Sequence, residues 1–181
     1  GRAAGNRQGD VRVNSAPADA NAMRAFATLT PQADIMLPDL TIRQTLYYQA
    51  RLVVGGVDAA AMFKRADTVI AQLGLDEAAD VLVGNELRPG ISGGQKKRLS
   101  IGCDLLAEKS LMILDEPTTG LDANAALTVM QIVCKLAGGS DRTLITTLHQ
   151  PQFSILSQFH QLVLIADGKN IYSGDPNTVA D

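Results

Sequence analysis

The sequence predicts an α/β fold, a mainly parallel sheet flanked by helices and interrupted by an all-α insert. Three observations carry this. From Gly93 onward, short apolar runs alternate with helical patterns. Residues 111–114 form a continuous apolar run, as expected of a central parallel strand buried on both faces. Between Thr41 and Gly74 two helical patterns follow one another with no strand between them.

In chain order, residues 1–10 are glycine-rich and polar and read as a loop. They lack the Gly-Lys-Ser/Thr ending of a phosphate-binding loop. Val11 and Val13 alternate with polar residues, a short edge strand ending near Asn14, and 15–22 reads as turn and linker. A strand is predicted over 25–29, leading to Pro31-Gln32. Pro38 ends a loop, and Thr41 can cap a helix carrying Leu46, Tyr47, Ala50 and Val54 on one side. Gly55-Gly56 breaks that helix. Asp58 caps the next, where Met62, Ala66, Val69, Ile70 and Leu73 recur at helical spacing, and Gly74 suits its end. Residues 79–85 are transitional and Arg88-Pro89-Gly90 is a turn. A helix over 93–107, the strand at 111–114 and a helix over 123–136 come next. After a Gly138-Gly139 break, a strand is predicted at 143–147, a short helix within 152–158 and a strand at 161–165. Asp167-Gly168 then turns the chain into a final strand at 170–173.

Composition narrows the function. The 181 residues suffice for one domain with a sizeable core. A net charge of −3 gives no support to a nucleic-acid surface, which carries a basic excess. Two cysteines, Cys103 and Cys134, are too few for a disulfide framework and read as reduced core residues. No apolar run approaches the ~20 residues that span a bilayer. No signal peptide is visible, and the chain opens on Gly1 rather than Met, so it reads as a fragment.

The chemistry concentrates at two places. Asp115 and Glu116 follow the apolar run at once, and Pro117 ends the ladder. Ligands of open α/β sheets sit at the carboxyl ends of strands. Adjacent carboxylates there cost desolvation unless a cation or a substrate proton uses them. A surface turn explains one acid, but not the pair followed by Thr118-Thr119-Gly120-Leu121-Asp122, so a metal–phosphate site is favoured. The second place is Ile91-Ser92-Gly93-Gly94-Gln95, ahead of a helix whose Leu99, Gly102, Cys103 and Leu106 share a face. A hydroxyl, bare backbone N–H groups and the positive end of a helix dipole suit a phosphate. Were only Ser-Gly-Gly present, a plain N-cap with a glycine turn would be the favoured reading. Lys96, Lys97 and Arg98 by themselves would read as a solvated basic face. Thr118 and Thr119 read as shaping a turn, and His160 as structural.

In order and spacing these motifs resemble an ABC ATPase nucleotide-binding domain. Ile91-Ser92-Gly93-Gly94-Gln95 resembles the signature motif, residues 111–116 a Walker B strand, Gly120-Leu121-Asp122 the D-loop, and His149 the switch histidine. The wording Ser92-Gly93-Gly94-Gln95-Lys96-Lys97-Arg98, Asp115-Glu116-Pro117 and His149-Gln150-Pro151 is similar to the G subfamily, the white/brown and pleiotropic-drug-resistance group. Pro31-Gln32-Ala33-Asp34 and the stretch 40–46 resemble its Q-loop and the helix after it. The resemblance covers nearly the whole chain and is weakest before Ala25. Two departures stand out: Gln44 replaces the family's usual acid, and the lysine-bearing P-loop is missing. In the family that loop lies upstream of the segment where this chain starts, so truncation is the expected reason.

The resemblance implies a P-loop NTPase-like fold and a partial nucleotide-binding domain over 1–181. About 33–108 would be a helical signature subdomain, and about 109–181 the Walker B to H-loop part of the α/β core. It implies ATP and Mg²⁺ as cofactors. Asp115 would hold Mg²⁺ through its water shell, Glu116 would deprotonate the attacking water, and His149 would contact the γ-phosphate. Gln32 would reach the metal and the lytic water. Ser92, Gly93, Gly94 and Gln95 would face nucleotide held by a second nucleotide-binding domain, and Asp122 would cross-link the two sites. The implied partners are that second domain and a transmembrane domain, with no nucleic acid, at the cytoplasmic face of a membrane. The implied function is the ATPase portion of an exporter, with the fragment alone inactive. A soluble ABC-type ATPase and a non-catalytic truncated domain are the alternatives. The stretch from Gln32 to Ser92 is too short for the coiled coil of DNA-repair forms.

Overall fold

The computed structural model describes residues 9–54, 58–139 and 141–178. The Gly55-Gly56 break, the side chain of Val54 and nearly all of the loop predicted over 1–10 lie outside the described residues. The described chain opens with a hairpin of β1 (Arg12–Val13) and β2 (Ala16–Pro17), turned by Asn14 and Ser15 at φ 48° and 67°. Helix α1 (Ala20–Phe26) follows, capped by Asp19, whose Oδ1 accepts from the Ala22 N–H at 2.7 Å. Both features correct the expected linker over 15–22 and the strand expected from Ala25. Asp19 caps a stretch of good helix formers, so Ala25 and Phe26 stay helical and β3 runs from Ala27 to Thr30.

After β3, the all-α insert forms as expected. In α2 (Ile42–Val54), Ile42, Leu46 and Ala50 are buried. Thr41 and Gln44 build a reciprocal cap: Thr41 Oγ1 accepts from the Gln44 N–H at 3.1 Å, and Gln44 Oε1 accepts from the Thr41 N–H at 3.0 Å. Helix α3 (Ala59–Gln72) buries Met62, Ala66, Val69 and Ile70, and Gly74 (φ 59°) closes it. The Leu75 N–H reaches Ile70 O at 3.0 Å and the Gly74 N–H reaches Ala71 O at 3.1 Å, the pair of bonds of a Schellman end. Tyr47 stacks on Phe63 with ring centroids 3.9 Å apart, fastening α2 to α3.

Residues 82–91 double back on themselves. A Cβ on Gly84 would lie 2.6 Å from Arg88 O, and one on Gly90 2.3 Å from Val83 O, so only glycine lets the two backbones pass. This crossing delivers Ser92 to the start of α4 (Gly93–Leu105). Helix α4 is buried on more sides than its predicted stripe, with Leu99, Ile101, Gly102 and Leu105 all inside.

Strands β3, β4 (Leu111–Asp115) and β5 (Thr143–Thr147) form a parallel sheet with β4 in the centre. Met112 and Leu114 are buried, but Leu111 and Ile113 are only half-buried. This corrects the expectation of burial on both faces. Leu29, Ile113 and Ile145 are paired side by side across the sheet, and Leu29 and Ile145 remain 58% and 50% exposed. Helix α5 (Ala123–Gly138) packs on the other face through Val129 and Val133. The short α6 (Phe153–Leu156) precedes an antiparallel hairpin of β6 (Leu162–Ala166) and β7 (Lys169–Gly174), turned by Asp167 and Gly168 at φ 49° and 72°. Both cysteines are free. No helix among the described residues is long and apolar enough to cross a membrane.

Candidate functional site

The carboxyl ends of β3, β4 and β5 bring one set of side chains together. Asp115 is the last residue of β4, Thr147 the last of β5, and the sheet register sets them opposite one another. Gln32 stands two residues beyond β3. Its Nε2 donates to Glu116 Oε2 at 3.0 Å across 84 residues of sequence. The Thr119 hydroxyl donates to the same oxygen at 2.9 Å, and the Thr119 N–H reaches Glu116 O at 3.2 Å. Thr119 therefore shapes the turn as expected, and it also fixes the acid. Glu116 Oε1 takes no partner among the described residues, which leaves one carboxylate oxygen held and the other open.

Asp115 and Glu116 are joined through a third residue. Thr147 Oγ1 donates to Asp115 Oδ1 at 2.7 Å and accepts from the Glu116 N–H at 2.9 Å. Glu116 sits at φ 43°, a left-handed conformation that costs a non-glycine residue about 1–2 kcal/mol. The Asp115 carboxylate bonds Thr147 of β5, while the Glu116 carboxylate bonds Gln32 beyond β3 and Thr119. Nothing in the spacing of Thr147 marks it in the sequence; only the pairing of β4 with β5 does.

Ser92 and Gln95 form the capping box of α4: Ser92 Oγ accepts from the Gln95 N–H at 3.3 Å, and Gln95 Oε1 accepts from the Ser92 N–H at 2.8 Å. Among the described residues the Ser92 hydroxyl proton and the Gln95 amide protons have no acceptor. Ser92 and Gly93 are exposed. An added Cβ on Gly93 would meet Leu121 at 3.4 Å, and one on Gly94 would meet Ala125 at 3.2 Å. The α4 start thus lies against the turn that carries Asp122, whose Oδ1 caps α5 through the Asn124 and Ala125 N–H groups, each at 3.0 Å. The sequence-predicted residues therefore fall into two groups, Gln32 with Asp115 and Glu116, and Ser92–Gln95 with Asp122. His149, two residues past β5, is exposed and makes no hydrogen bond among the described residues, so it joins neither group through a direct contact.

The basic run reads differently in three dimensions. Lys97 is 3% exposed; its Nζ donates to Gln32 O at 2.8 Å and to Asp34 Oδ1 at 2.7 Å. Arg98 donates to Leu73 O and Gly74 O at 2.8 and 2.9 Å, and Lys96 to Gly84 O at 3.2 Å. These residues tie α4 to its surroundings and do not make a solvated face. Nearby, the Thr30 hydroxyl donates to Asp104, whose carboxyl burial holds above its ordinary range against that bond. Burial also pushes the Cys103 thiol up to about 12, so it is no nucleophile at neutral pH.

A three-strand parallel core, an acid pair at the central strand end and a glycine-opened helix after a helical insert define a nucleotide-binding fold. The chain overlays cbiO1 from Clostridium perfringens, part of the ABC transporter complex cbiONQ, with a TM-score of 0.78 at 23% identity, covering 96% of this chain and 68% of that one. This shows a P-loop NTPase-like fold. The family model described as ABC transporter matches residues 3–119, and the chain belongs to that family. Two of the relatives below are named as G-family transporters. The chain is 40% identical over 167 residues to the broad substrate specificity ATP-binding cassette transporter ABCG2 of Rattus norvegicus, covering 92% of this chain and 25% of that protein. It is 39% identical over 176 residues to ABC transporter G family member 1 of Dictyostelium discoideum, covering 95% and 22%. A probable ATP-dependent permease of Saccharomyces cerevisiae is 34% identical, covering 99% and 17%. The chain spans a quarter or less of the length of these three relatives.

Proposed function

We propose that this chain is part of the nucleotide-binding domain of a membrane ABC exporter, using ATP with Mg²⁺ to drive transport. The observation that carries the reading is the contact of Gln32 with Glu116 beside Asp115, at the carboxyl ends of three parallel strands. The donor set fits a hard cation and a water. Among the described residues Asp115 Oδ2 has no partner, and neither does Gln32 Oε1 once Nε2 has donated, and both are oxygens of the kind Mg²⁺ takes, largely through water. The 181 residues hold no Gly-x-x-x-x-Gly-Lys-Ser/Thr, so these side chains supply the metal and water half of a phosphate site.

Bound Mg²⁺ would neutralise phosphate charge, and phosphoryl transfer beyond that needs chiefly positioning. The open oxygen Oε1 of Glu116 is set to take a proton from water, while Gln32 and Thr119 hold Oε2 and with it the carboxylate plane. His149, exposed at a strand end, is proposed to contact the γ-phosphate. Ser92, with its hydroxyl proton unspent, and the first N–H groups of α4 at Gly93 and Gly94 are proposed to face nucleotide held by a second nucleotide-binding domain, with Gln95 and the free oxygen of Asp122 at the same junction. The division into a helical part at about 33–108 and a core part at about 109–181 belongs to this reading.

A transmembrane domain is the other proposed partner, which places the chain on the cytoplasmic face of a membrane. A groove of about 350 Å³ lined by Ile35, Leu37, Tyr48, Leu52 and Cys103 supports this. Ile35 and Leu52 there are 91% and 82% exposed, more apolar surface than solvent alone favours. The intact acid pair with its ordered donors weighs against a non-catalytic domain. The test is ATP-dependent transport by the full-length gene product in sealed vesicles, with Asp115→Asn as the variant. Transport that requires Mg²⁺ and is lost in D115N is expected; transport unaffected by D115N would remove Asp115 from the metal site.

A further inference from the structure

We propose that Thr147 is a positioning residue of the hydrolytic site, one whose single hydroxyl sets Asp115 and Glu116 relative to each other. The inference rests on the function proposed above. A hydroxyl has one proton and two lone pairs. Asp115 as a carboxylate can only accept, so the proton goes to Asp115 Oδ1 at 2.7 Å and a lone pair receives the Glu116 N–H at 2.9 Å. Both partners are thereby fixed by one atom that is itself anchored, because Thr147 ends β5 in register with Asp115. The bond to the carboxylate is charge-assisted, which polarises the hydroxyl and improves it as an acceptor for the amide.

Glu116 needs that second bond. Its φ of 43° is unfavourable for a side-chain-bearing residue and persists only where its surroundings hold it. At the side-chain end, Gln32 and Thr119 hold Oε2. At the backbone end of Glu116, Thr147 holds the N–H. Remove the hydroxyl and Glu116 keeps Thr119 on its carbonyl, with Gln32 and Thr119 on Oε2, but its amide and the Asp115 carboxylate lose the one atom they share, so the open Oε1 is no longer set relative to Asp115. Valine keeps the β-branched shape that a strand end favours and deletes only the hydroxyl. Thr147 is exposed, so the exchange disturbs no core. Serine keeps the hydroxyl and loses only a methyl group.

The experiment compares wild type, Thr147→Val and Thr147→Ser in the full-length gene product, reading steady-state ATP turnover, KM for ATP, thermal midpoint and amide hydrogen exchange at Glu116. Misplacing a catalytic group by a fraction of an ångström to an ångström costs about tenfold or more in rate. T147V is expected to lose at least about tenfold in kcat with KM and midpoint unchanged, and to exchange the Glu116 amide faster; T147S is expected to restore both. Wild-type kcat in T147V, or equal losses in T147V and T147S with a lowered midpoint, would overturn the proposal. The exchange readout separates this from the function itself. Absence of turnover in the wild type contradicts the ATPase reading, whereas an unchanged Glu116 amide in T147V overturns the role of Thr147 whether or not the protein hydrolyses ATP.

Discussion

Lys97, buried inside α4, donates to the main-chain carbonyl of Gln32 at 2.8 Å and so ties this helix directly to the residue that touches Glu116. Its second bond, to Asp34 at 2.7 Å, pairs a side chain 4% exposed with one 19% exposed. The contact makes a continuous physical connection from α4 through the loop after β3 to Glu116, carried by two hydrogen bonds.

Removing one partner of a buried ion pair leaves the other charge uncompensated, which costs about 3–5 kcal/mol. Lys97→Met is therefore expected to destabilise the protein by about 3 kcal/mol in chemical denaturation. Because the penalty is the orphaned Asp34, Lys97→Met combined with Asp34→Leu is expected to recover most of it. A double variant as unstable as the sum of the two single ones would show that the pair is not the source.

Gly90 and Gly102 are both tight, and they differ in what they would meet. A Cβ on Gly90 would fall 2.3 Å from Val83 O, which is backbone, whereas one on Gly102 would fall 2.7 Å from Leu73 Cδ1, the end of a side chain. Overpacking typically costs 1–3 kcal/mol, with the rigid neighbour at the upper end. Gly90→Ala is expected to cost about 3 kcal/mol and Gly102→Ala about 1 kcal/mol, read from denaturation midpoints at equal m-values.

Asp104 gives the protein a pH dependence of definite sign. Burial raises its carboxyl above the ordinary 3.8. The folded state therefore binds more protons than the unfolded state between 3.8 and the raised value, and stability from this group falls as pH rises through that window. Asparagine is neutral and still accepts from the Thr30 hydroxyl. Asp104→Asn is expected to be more stable than wild type at pH 7 and to lose that advantage near pH 3.5, in urea titrations at both pH values. A D104N variant less stable than wild type at pH 7 would mean that the charged form is the favoured one.

Much of this was legible in the sequence because local chemistry agreed with the fold. Asp58, Gly74 and Ser92 take the helix-end roles their residue types suggest, and the run 111–114 is the central strand; the capping of α5 by Asp122 was not read. The misreadings come from tertiary structure. Lys97 resembles its neighbours Lys96 and Arg98 until α4 is docked, when it alone points at Gln32. Thr147 reads as an ordinary β-branched strand residue until β5 pairs with β4. Helix α1 was hidden because Phe26 runs straight on into the apolar and β-branched residues of β3, and the Asp19 cap upstream draws Ala25 and Phe26 into the helix instead.

The central claim is that Glu116 activates the attacking water. Phosphate release from ATP by the full-length gene product, wild type against Glu116→Gln, tests it most directly. Glutamine keeps the size and the contacts of the side chain but cannot take the proton. Unchanged ATP affinity with phosphate release slowed by about a hundredfold or more is the expected result. Release at the wild-type rate from E116Q would contradict it.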